Sequence, residues 1–244
     1  MWYTLKNKSN EENVMKIIID SRMREVEKNY IKKYGELVEL KYQDSVYDEI
    51  SSHPDIFVCR IKNEIIKAKN LELEQIKNIG ITGKEELNKD YPEDVKYNVC
   101  CIGNFVIHNF KYTDENILKI IEKERLTKID VAQGYSNCSI ANISDNSCIT
   151  TDMGIYNILK KHNIDVLLVK EQNIKLLDKK LNESNMQGFI GGATAVIDNK
   201  FILFGDSNFL NNKKEIIEFI KKYNLELVEF KGLDIIDYGG IVII

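Results

Sequence analysis

The hydrophobic positions of this chain fall into short runs that are paired across a polar turn, and the pairing recurs. Apolar residues from Ile56 to Ile61 meet a turn at Asn63 and resume at Ile65 and Ile66. The same shape returns around Asn104, between Val99 and Ile107, then around Asn146, between Cys138 and Ile149, and again around Asn199, between Ala193 and Phe204. Each pair reads as a β-hairpin, and the asparagine suits a turn position with positive φ. The copies lie about 40 to 50 residues apart, the period of a cyclic or solenoid array of supersecondary units.

Between hairpins the period changes from two to that of a helix. Lys16 to Asp20 reads as a buried strand, and Ser21 as the cap of a helix from Arg22 to Tyr34 that stops at Gly35. Glu36 to Leu40 alternates as a strand, and Val46 to Ser52 reads as a short helix closed by His53-Pro54, since the residue before proline avoids the α region. Asp114 and its neighbours cap a helix with an apolar stripe at Ile117, Leu118, Ile120 and Ile121, followed by a strand from Lys128. Asp152 starts a helix from Met153 to Lys161, with Asp165 to Val169 as the next strand, and Lys213 to Tyr223 and Leu225 to Phe230 repeat that order. The segment Asp234 to Ile244 is expected to form a hairpin or to pair with the N-terminal strand. Four hairpin units and this closing unit make five. The fold class is therefore α/β, a pseudo-symmetric propeller of five ββαβ units in one domain over 1–244. Residues 1–15 form an N-terminal extension, and 69–97, which mixes charges with Gly80, Gly83 and Pro92, forms a surface excursion with partial helix.

Composition narrows the function classes. A net charge of −4 with mixed signs argues against a nucleic-acid surface, which needs a basic face. Five cysteines, an odd number, with no apolar signal segment and no run long enough to span a bilayer, predict free thiols in the cytoplasm and no membrane association. No Cys pair has zinc spacing, and neither G-x-G-x-x-G nor a Walker lysine loop is present, so no metal or other cofactor is expected.

Several segments resemble one known group. His53-Pro54-Asp55, Gly134 to Ile140, Ile149 to Ile155, Gly188 to Gly192 and Asp237 to Gly240 match, in order and spacing, the pentein or guanidine-modifying superfamily, whose members are rings of five ββαβ units. More narrowly the chain resembles a clostridial-type family within it that lacks the usual C-terminal catalytic cysteine. The resemblance covers roughly residues 16 to 244. It implies a site for a planar cation held by carboxylates, as in arginine deiminase, dimethylarginine dimethylaminohydrolase and glycine amidinotransferase, where a cysteine near the C terminus attacks the guanidinium carbon and a histidine acts as acid or base. Here Gly239 to Ile244 contains no cysteine and no histidine follows His162.

The residues then offer these candidates. Cys138 follows a turn-like Gly134-Tyr-Ser-Asn, which predicts a thiol outside the core; it reads either as a relocated nucleophile or as a small buried residue. His53 reads as an acid-base beside Asp55, or the pair as a local turn. Asp55, Asp152, Asp206 and Asp237 sit at strand ends and, taken as a set, would suit a guanidinium or amine, although each alone also reads as a cap. Asn104, Gly191 and Gly192 complete the ligand-binding set, the glycines through close backbone approach. His108 and His162 carry no chemistry. The leading expectation is binding of a small guanidino or amine ligand at an axial, carboxylate-lined pocket; the alternative is a non-catalytic interaction module on the same ring, as in a ribosome-binding factor of this fold.

Overall fold

The computed structural model describes residues 15–244, so all of the expected N-terminal extension except Met15 lies outside the described residues. Strands β1 (Lys16–Asp20) and β2 (Glu36–Leu40) run parallel, with α1 (Glu25–Ile31) between them. The one-turn helix α2 (Pro54–Phe57) delivers the chain into β3 (Val58–Ile61), which is antiparallel to β4 (Glu64–Lys67), and β5 (Ile81–Thr82) lies parallel to β4. The next unit is β6 (Cys100–Ile102), β7 (Phe105–His108), α3 (Glu115–Lys123) and β8 (Thr127–Asp130). A second one-turn helix, α4 (Ser136–Ser139), precedes β9 (Ile140–Ser144), β10 (Ser147–Thr150), α5 (Met153–Lys161) and β11 (Asp165–Leu168). A hairpin of β12 (Ile174–Leu177) and β13 (Glu183–Gln187) follows. Then come β14 (Thr194–Ile197), β15 (Lys200–Leu203), α6 (Lys213–Lys222) and β16 (Glu226–Val228), and finally β17 (Ile235–Ile236) and β18 (Val242–Ile243).

In all six three-stranded sheets the middle strand has an antiparallel partner on one side and a parallel partner on the other. Five are alike in chain order too: the antiparallel, middle and parallel strands follow one another in β3-β4-β5, β6-β7-β8, β9-β10-β11 and β14-β15-β16 and, read from the C terminus into the N terminus, in β18-β1-β2. The last of these is completed from the C terminus, with Ile17 opposite Ile243 and Ile18 opposite Val242, as expected for the closing segment. The sixth sheet, β13-β12-β17, was not anticipated; β13 is mostly exposed and polar, Glu-Ser-Asn-Met-Gln, and has no apolar alternation to signal it. Isoleucine and valine dominate the buried middle strands, whose β-branched side chains suit a strand covered on both faces.

Local chemistry explains where the elements begin. The helix expected from Arg22 starts at Glu25 instead, because the Asp20 carboxylate accepts the Arg22 backbone N–H at 2.7 Å and its guanidinium at 2.6–3.1 Å, fixing residues 20–23 in a turn. Residues 46–52 hold only a 3-10 turn, Asp48–Ile50. Pro54 opens a helical turn rather than closing one, since its missing N–H and fixed φ suit the first helical position. In three hairpins the positive φ falls one residue before the expected asparagine, on Lys62 (52°), Gly103 (57°) and Asp198 (54°). The unit containing β5 has a 3-10 turn, Glu74–Ile76, where others carry a helix, and the buried Lys67 ammonium donates to the carbonyls of Ile76 and Lys77, both at 2.7 Å. Within 69–97, alongside exposed stretches, Ile76, Leu87, Val95 and Tyr97 enter the core.

Asp152 caps α5, its carboxylate accepting the Ile155 N–H at 2.9 Å. Asp152→Ala is expected to lower unfolding stability by about 1 kcal/mol, read as a shift in the urea midpoint.

Candidate functional site

The segments that lead into the first strands of the five like sheets meet at one place. Asp55 stands three residues ahead of β3 on α2, Asn98 just ahead of β6, and Asn137 and Cys138 on α4 ahead of β9. Gly191 and Gly192 precede β14, and the loop Asp237 to Gly240 precedes β18. The Asn98 side chain ties three of them: its carbonyl oxygen accepts the N–H groups of Asn137 (2.9 Å) and Cys138 (3.2 Å), and its amide nitrogen donates to the Asp55 carbonyl (3.2 Å) and the Cys138 sulfur (3.1 Å). The Asp55 Oδ2 atom accepts from Asn137 Nδ2 and from the Cys138 thiol, both at 3.0 Å.

Close packing admits only glycine at the β14 approach. A Cβ on Gly191 would stand 2.3 Å from the Asn137 carbonyl oxygen, and one on Gly192 would stand 1.9 Å from Asp237 Oδ1. The Gly192 N–H donates to the Cys138 carbonyl at 3.1 Å, and its own carbonyl accepts from Tyr238 and Gly240. Asp237 is held by the N–H groups of Phe189 and Gly239, each at 2.8 Å.

Behind this ring of segments sits an imidazole between two acids. His53 places Nε2 3.8 Å from Asp20 Oδ2 and Nδ1 3.7 Å from Asp237 Oδ1, and neither ring nitrogen has a hydrogen-bond partner. Burial, reinforced by the Arg22 charge, holds His53 well below its usual value, so the ring is neutral. Burial pushes Asp20 up despite Arg22, Asp55 up to about 6 despite the donors from Cys138, Asn137 and Asn98, and Asp237 up to about 7, with the neighbouring charges of Asp55 and Asp20 adding to the last. The Cys138 thiol is pushed well up by burial first and by Asp55 and Asp237 next. A nucleophilic thiolate needs positive surroundings, and Cys138 has the reverse.

Asp55 also lines a cavity of about 380 Å³. The wall draws on the first strand of every one of the five like sheets, through Val58, Cys101, Ile140, Thr194 and Val242. Asp55 Oδ1 is buried and has no hydrogen-bond partner, an uncommon state for a carboxylate oxygen.

The structure thus brings together Asp55, Asp237, His53, Cys138, Gly191 and Gly192 from the expected set. Cys138 is 2% exposed, contrary to the expectation of a thiol outside the core, because residues 136–139 coil into a helical turn packed in the largest hydrophobic cluster. Three residues stand apart. Asp152 caps α5. Asp206 caps a 3-10 turn at Ser207–Phe209 and accepts the Gly232 N–H at 2.7 Å, bonds that hold it down at about 2. Asn104 accepts from Lys62 Nζ at 3.1 Å in the β6–β7 turn, at the far end of the cavity. Asp20, Asn98 and Asn137 belong to the site without having been singled out; the signal available was their shared position as polar residues at the ends of apolar runs. His108 is buried, bonded to Thr113 and the Gly134 carbonyl, and His162 caps the C terminus of α5.

Among the described residues no group of His, Cys, Asp and Glu is arranged to hold a metal ion, and no helix is long and apolar enough to cross a membrane. Solved structures share the fold. A Cys-to-Ser mutant of dimethylarginine dimethylaminohydrolase from Pseudomonas aeruginosa, complexed with citrulline, is similar with a TM-score of 0.56 at 11% identity, covering 91% of this chain and 92% of that one. An amidinotransferase from Microseira wollei, of the saxitoxin biosynthetic pathway, is similar with a TM-score of 0.51 at 11% identity, covering 91% and 89%. These are pentein-fold guanidine-modifying enzymes, and the likeness is one of fold. No curated protein matches the sequence. A family model described as "Family of unknown function (DUF6873)" matches residues 18–242, and the chain belongs to that family.

Proposed function

We propose that this protein binds a small organic cation, an amine or a guanidinium, on Asp55 at the inner end of an axial cavity enclosed by a ring of five ββαβ units. The observation that carries the reading is the Asp55 carboxyl group, which lines the cavity and whose buried Oδ1 atom has no hydrogen-bond donor. A buried acceptor left unpaired costs roughly 1–3 kcal/mol, and more when charged, so a ligand N–H placed there removes a standing cost. The ring arrangement is supported by the five first strands that share the cavity wall. Asp237 adds negative potential behind Asp55, and the neutral His53 adds no opposing charge.

Binding rather than thiol attack is the activity proposed. The Cys138 proton is shared with Asp55, and ionising the thiol would put a third negative charge beside Asp55 and Asp237. A reducing compartment, the cytoplasm, suits a chain whose five cysteines are all free.

Methylguanidine and agmatine are expected to raise the melting temperature of the purified protein, by about 2.7 kcal/mol of added stability at a hundredfold excess over Kd. Asp55→Asn should abolish the shift; failure of every amine and guanidine tested to move the wild-type transition would overturn the reading. Because a proton competes with the cation at Asp55, whose carboxyl titrates near 6, affinity is expected to weaken about tenfold per pH unit below 6 and to level off above about 7. Calorimetric titrations across pH 5 to 8 check this, and a flat profile would contradict it. Cys138 should resist iodoacetamide in the native protein and react after urea denaturation; peptide mapping of the labelled thiols reads the difference.

A further inference from the structure

The buried acids and the Cys138 thiol are roofed by aromatic rings. Phe189, whose N–H holds Asp237, packs on Tyr135 with centroids 6.1 Å apart, and Tyr135 packs on Tyr91 at the same distance. Tyr47 joins this layer. Burial pushes its hydroxyl up despite a hydrogen bond with Tyr135, and the charges of Asp94, Cys138 and Asp237 add to the rise. Residues 88–94 pass over the same place, between the buried side chains of Leu87 and Val95. A Cβ on Gly134, next to Tyr135, would stand 3.0 Å from the Tyr91 ring and 2.9 Å from Val95.

This crossing is weakly tied. Asn88 to Tyr91 are exposed, and the backbone hydrogen bonds from Asn88 to Glu93, Glu93 to Asp90 and Val95 to Pro92 close within the crossing and its anchor. The ion pairs Lys89–Asp44 and Lys96–Glu93 each have an exposed partner, so they hold it little. Asp94, 1% exposed, is the tie to the layer beneath: its Oδ2 atom accepts the Tyr135 hydroxyl, while Oδ1 is buried with no donor. Burial pushes this carboxyl up despite the Tyr135 bond, and the like charges of Asp90 and Glu93 add to it. Closure therefore leaves one acceptor unpaired, and opening returns that oxygen to water.

We infer that residues 88–94 are a strap that opens and closes over the buried acids and Cys138, with the Tyr135–Asp94 hydrogen bond as its latch. Breaking the latch lets Tyr91 and Tyr135 part and admits solvent to the thiol. The strap is independent of what Asp55 binds, and its test reads Cys138 alone.

Tyr135→Phe removes the latch and keeps the ring. Under native conditions iodoacetamide is expected to label Cys138 about tenfold faster in this variant than in the wild type, the worth of one hydrogen bond to a carboxylate. Cys148, wholly buried in a different hydrophobic cluster, should keep its rate. Peptide mapping of the labelled thiols over time reads both. Should that variant not fold, Asp94→Ala takes the latch away from the other side, with the same expectation and the same control. Equal acceleration of Cys138 and Cys148 means that the whole fold has loosened, and an unchanged Cys138 rate means that the bond holds nothing shut; either result overturns the strap.

Discussion

The site depends on one side chain that makes no claim to chemistry. Asn98 is wholly buried and uses both ends of its amide: two backbone N–H groups of α4 on its oxygen, and the Asp55 carbonyl and the Cys138 sulfur on its nitrogen. Both one-turn helices end where a first strand begins, so their closing geometry fixes how β3 and β9 start. Hydrogen bonds in a dry interior are costly to leave unmade, and this amide satisfies groups from two segments that the backbone ladder of the sheets does not reach. With it in place, the Asp55 carboxylate is fixed with one oxygen occupied and the other bare.

The solved structures that share this fold are 11% identical to this chain, so the likeness reaches the fold and the chemistry near the cavity has to be read from its own residues. The closing strand β18 carries valine and isoleucine, and the one thiol near the acids arrives from the third unit instead. That thiol is surrounded by carboxylates and amides, with Arg22 engaged by Asp20 and by the carbonyls of Leu177 and Glu49. The electrostatics around Cys138 thus work against a thiolate.

Much of this was legible along the chain because it rests on short-range pattern. The hairpins, the helix from Met153 to Lys161 and the return of the C terminus to β1 follow from alternation, a capping aspartate and a terminal apolar run. Other parts rest on tertiary placement and leave little trace. Strand β13 is polar, and β17 is two residues long, so the sixth sheet has no pattern to read. Asp152, Asp206, Asp55 and Asp237 look alike in sequence, each an acid at the end of a strand. Two cap local backbone, and two are carried inward by segments that cross close to one another. Cys138 looked exposed because Gly134-Tyr-Ser-Asn reads as a turn; the turn coils into helix and buries the thiol against Asp55.

The balance of charge at the centre gives the last step. Asp20, Asp55 and Asp237 are all buried, and of the three Asp20 is paired with a permanent cation, Arg22, at 2.6 Å. His53 stands between two of these acids and would be the natural counter-charge, but at 3.7 and 3.8 Å it is too far for a hydrogen bond and too dry to hold a proton. An acid raised to about 6 or 7 is half-committed near neutrality: protonated it is tolerated, and ionised it calls for a cation. An apolar residue at Asp55 would remove the raised acid but leave the buried Asn137 amide without its acceptor, so the acid and its donors are held as a set. The Asp55 carboxylate is therefore satisfied on one oxygen, by Asn137 and Cys138, and left without a donor on the other, so the charge it carries when ionised is answered by neutral groups alone.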